Sequence, residues 1–234
     1  MSNYTKATAA EPASNCPKCP RLAAFRAANK AAHPTFFNAP VPTWYPQTGA
    51  GAARLLVVGL APGLKGANAT GRPFTGDFAG DLLYETLVTH AFAEGRYEAD
   101  PSDTLKLTDC AITNSVRCVP PQNKPVAAEV NTCRTFLDGT IKALPNLQVF
   151  VTLGKIAHDS LTRTLGERVA ANPFGHNREH TMGRYTVISS YHCSRYNTNT
   201  GVLTPEMFND VFARARATLA TLPPVLPRGQ ETAI

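Results

Sequence analysis

Four kinds of side chain in this chain of 234 residues have types and spacings that could do chemistry: a carboxylate, a carboxamide, an imidazole and a set of thiols. The carboxylate is Asp77. It closes the stretch VVGLAPGLKGANATGRPFTGD (57–77), in which five glycines follow an apolar run and no other residue is acidic. Such a loop behind a strand could be a phosphate cradle, but it lacks the lysine and Ser/Thr that a cradle sets at the helix start, and no dinucleotide fingerprint is present. Asp77 could orient or deprotonate a water, or cap the helix that DFAGDLL begins. Asn114, in DCAITN, could donate to one edge atom of a planar ligand and accept from the next, or close an Asx turn. His192, in SYHCSRYNTNTG, is a candidate hydrogen-bond donor, or else a strand-end histidine satisfied by backbone.

The thiols divide by position. Cys16-Pro-Lys-Cys19 is a CxxC pair in a polar segment where packing gives cysteine no purpose, and Cys118 and Cys133 form a second pair with fourteen residues between them. Two ligands close in sequence and two distant ones suit a four-thiolate site for zinc or an iron–sulfur cluster, and the spacing does not choose between them. Cys110 lies inside an apolar run and reads as core, while Cys193 stays unassigned.

The elements that must position these groups follow from the apolar pattern. Residues 20–32 read as a helix and 33–53 as a proline-rich loop carrying Phe36, Phe37, Trp44 and Tyr45. Strands are predicted at 54–60, 109–114, 147–154 and 184–192, where short apolar runs resemble strands covered on both faces. Helices are predicted at 79–95, 127–144, 155–165 and from Pro205 to Leu222, the last with proline in its first turn where the missing N–H does no harm. This alternation implies one α/β domain with a central four-stranded parallel sheet flanked by helices. Residues 16–222 form the domain, and 1–15 and 223–234 are expected to be flexible ends. In an open α/β sheet, ligands sit at the carboxyl ends of the strands. The glycine-rich loop follows the first strand, Asn114 ends the second and His192 ends the fourth, so three polar groups should meet at one edge.

Lysine and arginine number 23 against 17 acidic residues, a moderately basic balance that suits a polyanionic partner without requiring one. No run is long and apolar enough to span a bilayer, and MSNYTKATAAEP lacks the features of a secretory signal, so the expected location is the cytoplasm.

Taken together, GLAPG…NATGRPFTGD, TNSVRC, the cysteine set and SYHCSRYNTNTG resemble the iron–sulfur uracil-DNA glycosylases, specifically the B-type branch called family 5, from Cys16 to about Phe208. Related family 4 enzymes have Glu where this chain has Leu60 and lack an acid where it has Asp77, and enzymes of the GQDPY type carry an aspartate in the first motif that GLAPG does not have. The resemblance implies the fold of that superfamily, a three-layer sandwich, and a monomeric DNA-repair enzyme. Such an enzyme flips uracil, and other deaminated bases such as hypoxanthine or xanthine, out of double-stranded DNA and hydrolyses the N-glycosidic bond to leave an abasic site. The backbone of Gly59, Ala61 and Gly63 would approach the extruded base, Phe74 would stack on it, Asn114 would read its edge, and Asn123 would support it. His192 would donate to the uracil O2 as charge develops there, and Asp77 would activate water. Ser194, Arg195, Asn197, Asn199 and Thr200, with Lys65 and Asn68, would hold DNA, Arg195 or Tyr196 would fill the vacated space, and Arg72, Arg117 and Lys124 are near enough in sequence to join a basic rim. The resemblance also implies a structural [4Fe–4S] cluster on Cys16, Cys19, Cys118 and Cys133. Two positions depart from the pattern: Cys193 replaces the usual proline, and Ala69 stands where relatives often carry arginine. The alternative is a non-catalytic iron–sulfur DNA-binding lesion sensor, whereas a redox or nucleotide-binding enzyme would need the fingerprint that is missing.

Overall fold

In the computed structural model, which describes residues 11–222, the run Leu-Leu-Val-Val-Gly forms strand β1 (Leu55–Gly59), buried at every position. Alternate residues serve two cores. Leu55 and Val57 face helices α3 (Phe78–Thr89) and α7 (Pro205–Thr221), where Leu83, Leu87, Phe208 and Phe212 complete one apolar cluster. Leu56 and Val58 face α4 (Ala127–Lys142) and α5 (Lys155–Thr164), meeting Leu137, Ile141, Ala157 and Leu161. A strand covered on both sides has no polar face, which is why its sequence reads as continuous rather than alternating. Each fully buried Leu or Phe contributes about 1.5–3 kcal/mol, so these two clusters dominate the stability of the sheet.

β1 pairs in parallel with β4 (Cys110–Asn114) and with β5 (Val149–Leu153), and β5 pairs in parallel with β7 (Tyr185–Ser190). These are the four predicted strands, with ends trimmed by one or two residues. The sheet has a fifth strand, β6 (Arg178–Met182), giving the order β4-β1-β5-β7-β6 with β6 antiparallel to β7. The sequence Arg-Glu-His-Thr-Met has no apolar run because this is a solvent-facing edge strand, joined to β7 through Gly183 at φ +58°.

The predicted helix 79–95 ends sooner, at Thr89. The Phe92 amide bonds to the Leu87 carbonyl and the Ala91 amide to that of Val88, with Ala91 at φ +55°. This is a Schellman stop with alanine where glycine is usual, so the sequence carried no visible signal. The chain continues into a short antiparallel pair, β2 (Ala93–Glu94) and β3 (Lys106–Leu107). Helix α1 (Pro20–Ala32) matches its prediction and packs apart from both main cores, against Val116, Val130 and the cysteines. Of the two segments expected to be loose, 223–234 and the first ten residues lie outside the described residues, and Glu11 accepts from Arg117 at 2.9 Å. Among the described residues, no helix is long and apolar enough to cross a membrane.

Candidate active site

The carboxyl ends of β1, β4 and β7 border one cavity of about 320 Å³. Gly59 and Asn114 are register partners at the ends of β1 and β4, and His192 lies just past the end of β7. Phe74, Asp77, Asn114 and His192 all line the cavity, so the groups carried by three separate elements do meet.

Asp77 holds the N-cap position of α3, yet its side chain makes no cap hydrogen bond. Its Oδ1 is buried without a partner. Burial pushes its pKa above the ordinary carboxylate value, outweighing the amides of Gly80 and Ala79, and the nearby Asp81 adds to the rise. Asp77 thus occupies the capping position and feels the Ala79 and Gly80 amides, but no well-formed side-chain cap bond takes up its carboxylate. Asn114 is 3% exposed and its Oδ1 is also unpartnered, so it does not close an Asx turn through that oxygen. Two residues of one cavity that each bury a polar atom without a partner call for an explanation, and a polar ligand at the site is one.

His192 is held neutral: burial lowers its pKa to about 4. A neutral imidazole can donate one N–H without carrying charge. Its ring lies 6.1 Å from that of Phe74 with 30° between the planes. Phe74 has φ +54°, a backbone strain that persists only where the surroundings enforce it.

Gly59 requires a correction. It does not line the cavity, because a Cβ there would overlap Asn114 Oδ1 and the Phe74 ring. Its glycine leaves room for the protein's own side chains rather than for a ligand. Ala61 and Gly63 do line the cavity, and a Cβ on Gly66 would overlap the Asp77 carboxylate. Asn123 reaches the cavity from a loop in which both it and Gln122 have positive φ, +57° and +55°.

Ser194 and Arg195 line the mouth. Ser194 caps helix α6 (Arg195–Asn199), accepting from the Asn197 amide at 3.4 Å, and the Arg195 guanidinium sits 5.2 Å from the Phe78 ring centre. Phe78 is a lining residue that sequence reasoning passed over, although it adjoins Asp77. Asn197 spends its carboxamide on the His192 carbonyl at 2.8 Å, so it shapes the turn that carries the histidine. Asn199, Thr200, Lys65 and Lys124 are exposed. Three expectations fail. Asn68, in the short helix α2 (Ala67–Thr70), is 1% exposed and donates to Asn38 Oδ1. Arg72 is buried in a bidentate pair with Asp103, 2.7 Å to each oxygen. Arg117 is buried, bonded to Glu11, Thr43 and Thr140. Asn68 is thus not presented to DNA, and neither arginine belongs to a basic rim, because each is committed to an internal bond. Cys193, in the proline's place, is fully buried with Sγ 3.5 Å from the Ala79 carbonyl, so packing against α3 fixes a turn that lacks proline's rigidity.

Cys16, Cys19, Cys118 and Cys133 line a second, small cavity between α1, α4 and the loop after β4, and none forms a disulfide. Arg26 Nη1 donates to Cys118 Sγ at 3.3 Å and the Arg117 amide to Cys133 Sγ at 3.4 Å. Burial raises the Cys133 thiol to about 11. Among the described residues, no set of three or more His, Cys, Asp or Glu side chains is drawn close enough to chelate a single metal ion.

The fold and cavity thus define an α/β site at strand ends, lined by a phenyl ring, a carboxamide, a neutral imidazole and a buried carboxylate. The model of the uracil DNA glycosylase superfamily matches residues 46–216. The type-5 uracil-DNA glycosylase of Thermus thermophilus is 41% identical over 206 residues, covering 86% of this chain and 92% of the relative. That of Pyrobaculum aerophilum is 36% identical over 207 residues, covering 87% and 88%. A type-4 uracil-DNA glycosylase of the same archaeon matches at 35% over 115 residues, 49% of this chain. The chain belongs to the uracil DNA glycosylase superfamily, and its likeness to the type-5 relatives extends over most of its length.

Proposed function

We propose that this DNA-repair glycosylase flips uracil and other deaminated bases, such as hypoxanthine or xanthine, out of double-stranded DNA and hydrolyses the N-glycosidic bond. The observation that carries this reading is that two residues lining one cavity of about 320 Å³, Asp77 and Asn114, each bury an Oδ1 that has no partner. Cleavage needs the base held, charge on the departing base stabilised, and water delivered to a cationic sugar. Phe74 supplies a face for stacking. The Asn114 carboxamide reads the base edge, its Oδ1 accepting from a ring N–H. His192, neutral, donates to the carbonyl oxygen that gains charge, a contribution of roughly 2.7–4 kcal/mol for one positioned donor. Asp77 accepts the proton of the attacking water and faces the positive sugar. The exposed Arg195 and Asn199 of α6, with Ser194 at its N-cap, suit the phosphate backbone, and Tyr196, 74% exposed, is free to enter the space the base leaves.

The four cysteines fit a [4Fe–4S] cluster in their chemistry: all border one cavity, and two sulfurs already accept N–H bonds of the kind that stabilise cluster sulfur. When bound, the cluster supplies a covalent tie between α1 and the segments carrying Cys118 and Cys133. We read the protein as a monomer of the cytoplasm, where six reduced thiols are at home.

The test incubates purified protein with duplexes bearing a single uracil, hypoxanthine or xanthine, followed by alkali. Alkali-labile sites are expected at uracil at least. Binding without abasic sites at any of the three would replace this reading with the lesion sensor.

A further inference from the structure

The segment between β2 and β3 plays no part in the family motifs, yet it touches the active-site loop at two points. Asp103 holds Arg72 in the buried bidentate pair. Tyr97 places its hydroxyl across the loop, accepting from the Gly76 amide at 3.2 Å and facing the Phe74 carbonyl at 3.4 Å as donor. Its ring packs on Tyr84 with centres 4.6 Å apart, and the Tyr84 hydroxyl in turn donates to the Pro73 carbonyl. Arg72 lies over the rings of Trp44, Tyr84 and Tyr97 and gives its Nε to Thr75 at 2.7 Å. Every residue from Arg72 to Gly76 is therefore held by a group from outside the cavity.

Phe74 has a left-handed backbone, and Asp77 has the Ala79 and Gly80 amides nearby but no well-formed side-chain cap bond, so local structure alone fixes neither fully. A third observation converges on the same atoms. A Cβ on Gly80 would overlap both the Phe74 carbonyl and the Tyr97 hydroxyl. Gly80 costs α3 about 1 kcal/mol relative to alanine, and what it makes possible is this carbonyl–hydroxyl contact against the first helical turn.

We infer that Tyr97 is a positioning residue for excision: its hydroxyl bridges Phe74 and Gly76 and so sets the ring that stacks on the base and the carboxylate that activates water. The inference rests on the proposed function. It separates Tyr97 from the residues that touch DNA, since Tyr97 acts through Phe74 and Asp77 alone.

The experiment measures single-turnover uracil excision, duplex affinity and the pH–rate profile for wild type, Tyr97→Phe and Gly80→Ala. Tyr97→Phe keeps the ring and deletes only the bridging oxygen. The expected result is a rate lowered about 10- to 100-fold, as for a small misplacement of reacting groups, with duplex affinity within about twofold and the acidic limb of the profile displaced because the surroundings of Asp77 have changed. Gly80→Ala should show the same pattern. A residue that only stabilised the fold would lower the melting temperature and leave rate and profile at wild-type values below melting, and that result overturns the inference. Amide exchange of Gly76 in the wild-type protein gives a check that needs no variant: protection is expected, and exchange at the rate of an open loop overturns the bridge. A wild type that fails to excise uracil would instead overturn the proposed function, and the assignment of Tyr97 with it.

Discussion

Asp77 is kept in a place that disfavours its charge, and that conflict gives the site a measurable signature. Its pKa is raised on folding by burial. A raised folded pKa means the neutral form is favoured, so the stabilising contribution is complete below the unfolded value of about 3.9 and is lost as pH rises through the folded value. At neutral pH the ionised side chain therefore costs stability while serving chemistry. Asp77→Asn removes the charge with little change of shape. Excision should fall roughly 10²- to 10⁴-fold, and stability should rise by on the order of 1 kcal/mol, visible as a higher melting temperature. The wild-type rate should decline on acidification as Asp77 gains its proton, and should show no inflection near pH 6.5, the ordinary histidine value, because His192 stays neutral down to about 4. A variant both inactive and less stable would mean that Asp77 is a structural group.

At the scale of elements, the site depends on how closely β1 and β4 let side chains crowd their shared end. Gly59→Ala would drive a methyl group into Asn114 and Phe74 at once. Overpacking of this kind costs about 1–3 kcal/mol, and the displaced groups should cut excision at least tenfold by the measure of misplaced reacting groups. Circular dichroism and single-turnover kinetics of the variant would separate the two effects, and wild-type kinetics would show that the contact is not limiting. The strands and helices that carry Asp77, Asn114 and His192 were legible in the sequence because apolar periodicity reports burial, and burial is what places an element in the sheet. The polar edge strand β6 and the alanine-terminated stop of α3 were not, since one lacks an apolar face and the other lacks glycine. Asn68, Arg72 and Arg117 were misread for a related reason. Composition says that arginine and asparagine favour the surface, but a buried arginine with a bidentate partner or several internal acceptors is stable, and nothing local announces that the partner of Arg72 will be Asp103, thirty-one residues away. Tyr97 was equally invisible, since its hydroxyl meets the loop only after β2 and β3 fold back.

Across the whole molecule, the cysteine site and the base cavity are joined by α1. That helix buries only Leu22, Arg26 and Asn29, too little apolar surface to hold it against the sheet unaided. Its other fixings are Arg26 to Cys118 and Arg21, whose guanidinium grips Glu129 at 2.7 and 2.8 Å and donates to the Lys124 carbonyl at 3.1 Å. Lys124 follows Asn123 directly, and Cys118 lies five residues before it, so the strained loop that brings Asn123 to the cavity is tied to α1 at both ends. Loss of the thiol site should therefore release α1 first and the Asn123 loop with it, while the sheet, with its separate cores above and below, stays folded. Cys133→Ser provides the case, because Cys133 sits on α4 and its change leaves both α1 and the loop chemically intact. Hydrogen exchange should show amides of α1 losing protection at low denaturant, followed by residues 119–126, with β1, β4, β5 and β7 still protected. Excision should weaken in step with the loop rather than with global unfolding. Uniform loss of protection across the sheet would mean that the four cysteines support the entire domain and not this one connection.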